Sequence, residues 1–304
     1  MPDDRQLSGW LVVDKPRGLT SNLVVGRVRR ALGAKAGHAG TLDPLATGVL
    51  PIALGEATKT IAFAMNGPKR YRFRIRWGIA RTTDDTEGDI SAESGVLPEK
   101  AAIEAALPRF CGTIMQRPPA YSALKISGRR AYALTRAGRP PPLCPRPVEI
   151  FSLIMIDMPC LDHADFEAVV GKGTYIRALA RDLAANLGTL GHVASLRRLS
   201  VGPFTEAHAI SLEYAANPQH IAPDSSALLP IGTALAGVPA VAVAGAEADQ
   251  LRHGQRVRFH GPRQAERTQW PDAGTIVSAW HDNDLVALAK VEGTSLRPLR
   301  VINS

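Results

Sequence analysis

At 304 residues the chain is long enough for one large domain or two. With 45% apolar and 21% charged residues it is no disordered polymer, and no apolar run reaches the roughly 20 residues that span a bilayer. Lys and Arg total 36 against 28 Asp and Glu, for a net charge of +8. This excess is clustered at Arg27, Arg29, Arg30 and Lys35, at Lys69, Arg70, Arg72, Arg74 and Arg76, and at Arg129, Arg130, Arg136 and Arg139. Such clusters are the footprint expected of a polyanion-binding surface and favour a nucleic acid partner.

In chain order, Gly9 to Asp14 predicts a strand that stops at Lys15-Pro16. Thr20 or Ser21 caps a helix to about Leu32, with Gly33 as its stop. A Gly-rich loop, AKAGHAGTLDPLATG, leads to an apolar strand at Val49 to Leu54, and Glu56 to Met65 reads as a short helix. Lys69 to Trp77 alternates, with Tyr71, Phe73, Ile75 and Trp77 on one face and Arg70, Arg72, Arg74 and Arg76 on the other. Helices are expected at Pro98 to Phe110 and Arg129 to Ala137, then a Pro-rich connector at Pro140 to Pro147. Strands at Val148 to Met158 and Phe166 to Val170 precede a Thr174-capped helix whose stripe is Ile176, Leu179, Ala180, Leu183 and Leu187. A last strand covers His192 to Leu199. From about Ala234 small apolar residues take over, and a β-rich unit of about 65 residues is expected there.

Cys111, Cys144 and Cys160 are odd in number and lack a CxxC pair, so neither a disulfide framework nor a zinc site is expected. The start, MPDDRQLSGW, is not a secretory signal, and a cytoplasmic location is expected. Rossmann fingerprints, P-loops and metal-ligand clusters are not found in the sequence.

One loop holds the strongest chemical candidate. In GHAGTLDPLATGVLP, Gly37 to Pro51, the glycines free the backbone for close approach to a ligand. Pro44 stiffens the extended corner on which the Asp43 carboxylate sits. From spacing alone, Asp43 reads as a turn residue that satisfies nearby amides.

That segment resembles the active-site motif of the bacterial tRNA pseudouridine-55 synthases, the TruB family. Further matches follow in family order: GWLVVDKPRGLTS from Gly9, Lys69-Arg70-Tyr71, RPPAYSALKISGRRAY from Arg117, GKGTYIRALARDLA from Gly171 and LRRLSVGPF from Leu196. The resemblance implies an α+β pseudouridine synthase fold, a mixed, mainly antiparallel sheet flanked by helices. It implies a catalytic domain over 1–233 with an RNA-contacting insertion at about 94–147, and a PUA-like RNA-binding module over 234–304.

The resemblance makes Asp43 the catalytic carboxylate and Arg177 its partner. Arg177 lies in the first turn of its helix, where the dipole disfavours a cation and calls for a nearby anion. Tyr71 would stack on the target base, Tyr175 and Leu196 would line the uridine pocket, and His38 would insert into the RNA beside the flipped base. On residue type alone, Tyr71 and Leu196 are equally core residues and His38 is loop surface. Lys59 and Asp85 hold family positions that support substrate or fold. The family often carries an Asp where this chain has Thr82, which leaves that segment's hydrogen bonding open.

The implied reaction is isomerisation of a T-loop uridine, without cofactor or metal, by a monomer acting on tRNA. Asp43 attacks C1′ or removes a sugar proton; the sequence does not choose. A non-catalytic RNA-binding protein on the same fold, or a guide-RNA-dependent synthase, would share the basic clusters. Joint retention of Asp43, Tyr71 and Arg177 favours the enzyme, and the bacterial-looking insertion and C-terminal segment argue against the guide-dependent type.

Overall fold

The computed structural model describes residues 7–122, 124–126, 129–139, 141–223, 225–259 and 270–303. Residues 1–6 of the MPDDRQLSGW segment lie outside the described residues. So do Ser127 and Gly128 of the 117–132 motif, Pro140 of the connector, and the side chains of Arg129 and Arg130.

Strand β1 (Gly9–Lys15) pairs antiparallel with β3 (Thr47–Leu54), and both are almost wholly buried apolar runs. Helix α1 (Ser21–Leu32) begins where the Leu23 N–H donates to the Thr20 hydroxyl and ends at Gly33, whose φ of 64° is left-handed. Within the expected loop lies a short strand, β2 (Ala36–His38), formed because the β3 edge offers it a ladder from Leu54 to Ile52. The helix expected at 56–65 is a 3-10 turn, Gly55–Thr60, followed by α2 (Ile61–Asn66).

Strand β4 (Lys69–Trp77) lies centrally, and a small hairpin follows, β5 (Ile79–Arg81) with β6 (Ile90–Glu93). After α3 (Lys100–Ala106) and β7 (Gly112–Gln116), the chain makes an excursion. It contains β8 (Lys125–Ile126), β9 (Arg129–Arg130) and α4 (Ala131–Arg136). The chain returns through β10 (Arg146–Cys160), β11 (His163–Val170), α5 (Ile176–Asn186) and β12 (Gly191–Val201). The segment closes with β13 (Phe204–Thr205), β14 (Ala209–Ser211) and α6 (Leu212–Ala215).

These strands form one mixed sheet in the order β14-β1-β3-β12-β4-β11-β10-β7, with β2 on β3 and β13 on β12. The contacts β1–β14 and β3–β12 are parallel and the rest antiparallel. Helix α5 packs Leu179 and Leu183 on the face carrying Phe73, Ile75 and Trp77, closing the main core. The expected mixed, mainly antiparallel α+β architecture is what forms.

The arginine face of β4 carries less free charge than its sequence suggests. Arg70 and Arg72 both pair with Glu167, Arg74 makes a two-bond pair with Asp165 at 2.6 and 2.7 Å, and Arg76 lies 3.8 Å from Asp162. Strand β11 supplies Glu167 and Asp165 because it runs antiparallel to β4 in register, with Arg72 opposite Glu167 and Arg74 opposite Asp165, and the turn before it supplies Asp162. By alternation the row lies on the face opposite Tyr71.

A second sheet, β15 (Ala240–Ala242), β17 (Ile276–His281), β18 (Asp284–Glu292), β19 (Ser295–Val301) and β16 (Val257–Arg258) in that order, has its own core and carries α7 (Gly245–Arg252). It docks on the first unit through Phe63, Ile231, Leu235, Leu285 and Ile302. Lys59 fastens this seam: its Nζ donates to the Val301 carbonyl at 2.8 Å and pairs with Glu56 at 2.6 Å. Glu56 in turn accepts the Asn303 N–H at 2.7 Å. Among the described residues no helix is long and apolar enough to cross a membrane. Cys160, Asp162 and His163 bring a thiol, a carboxylate and an imidazole together at the β10–β11 turn, on the arginine side.

Candidate active site

The loop bearing Asp43 is held from three sides. From β1, the buried Lys15 ammonium donates to the carbonyls of Leu19 at 2.6 Å, Pro16 at 2.9 Å and Pro44 at 3.2 Å. From α1, Ser21 Oγ donates to the Leu42 carbonyl at 3.0 Å and accepts the Leu42 N–H at 2.8 Å. From β12, the buried Arg198 donates to the carbonyls of Val49 at 2.8 Å and Gly40 at 2.9 Å. A loop carrying a reactive group stays put only if its backbone groups are satisfied, and these three side chains do that. Gly48 is required where β3 meets β12: its φ is 97°, and a Cβ there would sit 2.2 Å from the Arg198 carbonyl oxygen.

Arg177 meets Asp43 from α5. Its Nε donates to Asp43 Oδ2 at 2.8 Å and lies 3.4 Å from Asp85 Oδ2. Its other nitrogens donate to the carbonyls of Thr83 at 2.8 Å and Tyr121 at 2.9 Å. The guanidinium is only 4% exposed, whereas the Asp43 side chain is 34% exposed, so the arginine is the fixed partner and the carboxylate faces the cleft. Burial works against the Arg177 cation, but Asp43 and Asp85 outweigh it and hold its pKa above the usual arginine value. The expected cap is corrected here. Helix α5 starts one residue late with Tyr175 as N-cap, because the Thr174 hydroxyl is turned to the Glu149 carbonyl at 3.4 Å.

Asp43 and Arg177 separate two adjoining cavities. One, of about 310 Å³, is lined by Tyr71, Tyr175, Leu196, Lys69 and Lys172 besides the pair. The other, of about 290 Å³, is lined by Asn22, Asp85, Glu87, Tyr121, Ser122 and Tyr132 besides the same pair. Burial lowers the Lys69 pKa to about 8, helped by Arg198 and Lys172. Its Nζ donates to the Met65 and Gly67 carbonyls. Burial likewise brings Lys15 to about 8, against the pull of Asp43 and Glu87. Partial burial raises Glu87, and the carboxylates Asp85 and Asp43 raise it further.

Of the residues singled out in the sequence, five line the first cavity: Asp43, Tyr71, Tyr175, Arg177 and Leu196. Asp85 lies across Arg177 on the second, buried, with Thr83 Oγ1 and the Glu87 N–H both donating to its Oδ1. The turn with Thr82 is thus closed by Thr83 and Asp85, and the Thr82 N–H is spent on the Asp89 carbonyl at 3.0 Å. His38 ends β2 opposite Ile52 and lines neither cavity, and Lys59 sits at the seam with the second sheet.

In the sequence Ser21 is only a candidate helix cap, and Lys15 and Arg198 carry no site role, although all three lie in the motifs DKPRGLTS and LRRLS. Their work is done on backbone carbonyls far along the chain, which no local spacing reports.

Residues 29–176 match the N-terminal domain of the TruB family pseudouridylate synthases, and 177–236 match the C-terminal domain of tRNA pseudouridylate synthase B. The chain belongs to the TruB family. It is a pseudouridine synthase, an isomerase. Among curated relatives, the tRNA pseudouridine synthase B of Caulobacter vibrioides is 51% identical over 97% of this chain and 96% of its own length. The protein of that name from Rhodospirillum rubrum is 49% identical over 98% and 97%. Solved structures of similar fold include an H/ACA RNP bound to a substrate RNA containing 2'-deoxyuridine, with TM-score 0.73 at 22% identity. That match covers 97% of this chain and 85% of the other. A Cbf5-Nop10-Gar1 complex gives TM-score 0.72 at 25% identity, covering 98% and 85%.

Proposed function

We propose that this chain converts a uridine in the T-loop of tRNA, uridine-55, to pseudouridine, with Asp43 as the catalytic carboxylate. The observation that carries this is the half-exposed Asp43 carboxylate, fixed by a buried Arg177 at the mouth of a cavity walled by Tyr71, Tyr175 and Leu196. Relatives about 50% identical over nearly the whole chain bear the name tRNA pseudouridine synthase B, which supports tRNA as the substrate.

In the reaction the N1–C1′ bond breaks, the uracil turns, and C5 joins C1′. The C5 proton leaves and N1 gains one, so the product is an isomer and no redox partner or energy source enters the balance. Asp43 acts first, on C1′ or on a sugar proton. Arg177 holds it aimed, since its Nε bond and its two carbonyl bonds fix the fork in one pose. Tyr71 stacks on the base. The uridine must leave its stack to reach the cavity, at a cost of a few kcal/mol that such stacking and phosphate contacts offset. Lys172 and the exposed Arg117, Arg136 and Arg139 of the excursion suit the phosphates better than the β4 row, whose arginines already face Glu167, Asp165 and Asp162. His38 is proposed to enter the RNA beside the flipped nucleotide, and Asp85 to steady Arg177. Lys59 supports the fold at the seam. The C-terminal sheet is proposed as a PUA-like module, residues 234–304, on the acceptor-stem side, and the protein as a monomer.

The test is tritium release from a T-stem-loop transcript labelled at uridine C5. Release with the parent protein, and background release with Asp43→Asn at unchanged RNA affinity, are expected. Near-normal turnover by Asp43→Asn would sink the assignment.

A further inference from the structure

The excursion leaves the sheet at the end of β7, and its root is laced to α5. Gln116, the last residue of β7, is 1% exposed and spends its whole amide on one residue of the cavity wall. Its Oε1 accepts the Tyr175 N–H at 2.8 Å and its Nε2 donates to the Tyr175 carbonyl at 3.2 Å. Tyr175 has no side-chain cap of its own, and its carbonyl also accepts the first helical bond of α5, from the Leu179 N–H at 3.0 Å. The start of α5, two residues before Arg177, is therefore set by a side chain outside the helix.

Two arginines one turn apart continue the lacing. Arg177 donates to the Tyr121 carbonyl, and Arg181 donates to the Arg117 carbonyl at 2.9 Å. Each has a second arm: Arg177 reaches Asp43, and Arg181 pairs with Asp84 at 2.8 Å, in the turn whose Thr83 carbonyl Arg177 also holds. Every contact on the excursion side is to backbone or to the Gln116 amide, so the lacing fixes the path of segment 116–121 whatever its outward side chains do.

Building on the catalytic reading of Asp43, we infer that Gln116 is a positioning residue for the reaction, with Arg181 as its second anchor. It holds Tyr175 and the first turn of α5 in register with the excursion, so that RNA seated on the excursion meets a correctly aimed Asp43–Arg177 pair. An amide suits this task because it presents one acceptor and one donor side by side, the complement of a backbone N–H and C=O. Met has similar length and neither group. A Glu carboxylate accepts the N–H but faces the carbonyl with like partial charge, and regains the donor only when protonated. Burial favours that protonated form.

The experiment uses the full chain and a C5-tritiated T-stem-loop RNA, and measures the single-turnover rate, RNA affinity and thermal midpoint together. Gln116→Met is expected to slow the single-turnover rate by about tenfold to a hundredfold with little change in affinity, the scale at which small misplacements act. The decisive signature is Gln116→Glu, whose rate relative to the parent should recover as pH falls from about 8 to about 6, as its carboxyl regains the proton. Arg181→Lys, which keeps the charge on Asp84 but not the fork, should slow the rate in the same way if Gln116→Met is poorly folded. A parent-like rate in the Gln116→Met and Arg181→Lys variants would overturn the inference. So would losses that follow the thermal midpoint alone with no pH-dependent recovery in Gln116→Glu. An Asp43→Asn control separates the two ideas. If it turns over, the catalytic reading has failed; if it is inert while Gln116→Met is normal, only the positioning role has.

Discussion

Two sets of arginines on opposite faces of one sheet differ in almost everything except residue type. On the outer face, Arg70, Arg72, Arg74 and Arg76 have side chains 40% to 58% exposed and lie against Glu167, Asp165 and Asp162. On the inner side, Arg177 and Arg198 are 4% and 1% exposed and give most of their hydrogen bonds to carbonyls of loops that meet at Asp43. The outer row is conspicuous in sequence and modest in consequence, because water and neighbours screen it. The inner pair is inconspicuous and decisive, because a buried guanidinium has one pose and a large penalty for losing it.

The comparison can be tested from its strongest side to its weakest. Arg177→Met removes one partner of a buried pair and strands Asp85, so a loss of about 3–5 kcal/mol in unfolding free energy is expected. Turnover should fall with it, and denaturant unfolding beside tritium release reads both. Arg198→Met leaves the Gly40 and Val49 carbonyls without their donor and should cost about 1–3 kcal/mol, read by the same unfolding curves. A smaller effect would mean that the Asp43 loop is held mainly by Lys15 and Ser21.

Lys69 offers a pH-dependent check. Its folded pKa, about 8, lies below the 10.5 of the open chain. Below about pH 8 both states carry the proton and folding bears the full cost of a buried ammonium. Between about 8 and 10.5 the folded state sheds the proton while the unfolded state keeps it, so this group makes stability rise with pH. Lys69→Met should remove that rise, measured as the variant-minus-parent difference in denaturation midpoint across the window. A constant difference would show that Lys69 is not buried as a cation. The smallest effect belongs to the outer row: Arg74→Ala should change stability by under about 1 kcal/mol and leave tritium release at the parent rate. A marked loss of RNA affinity in that variant would return the outer face to the binding surface.

Much of this molecule is legible from the chain itself. Period-two alternation gave β4 its two faces, Thr20 and Gly33 bounded α1, and the apolar stripe of α5 marked its buried side, because each of these signals acts within a few residues. The motif order from Gly9 to Phe204 made Asp43, Tyr71, Tyr175, Arg177 and Leu196 candidates together, and all five line one cavity. What the chain did not reveal depends on register between distant strands. That register set β11 carboxylates against the arginine row, drew Lys59 away to the seam with the C-terminal sheet, and moved the start of α5 from Thr174 to Tyr175. It brought Lys15, Ser21 and Arg198 onto the backbone around Asp43 and Gln116 onto Tyr175. A backbone carbonyl looks the same at every position in a sequence, so which side chain will satisfy it is decided only when the sheet has closed.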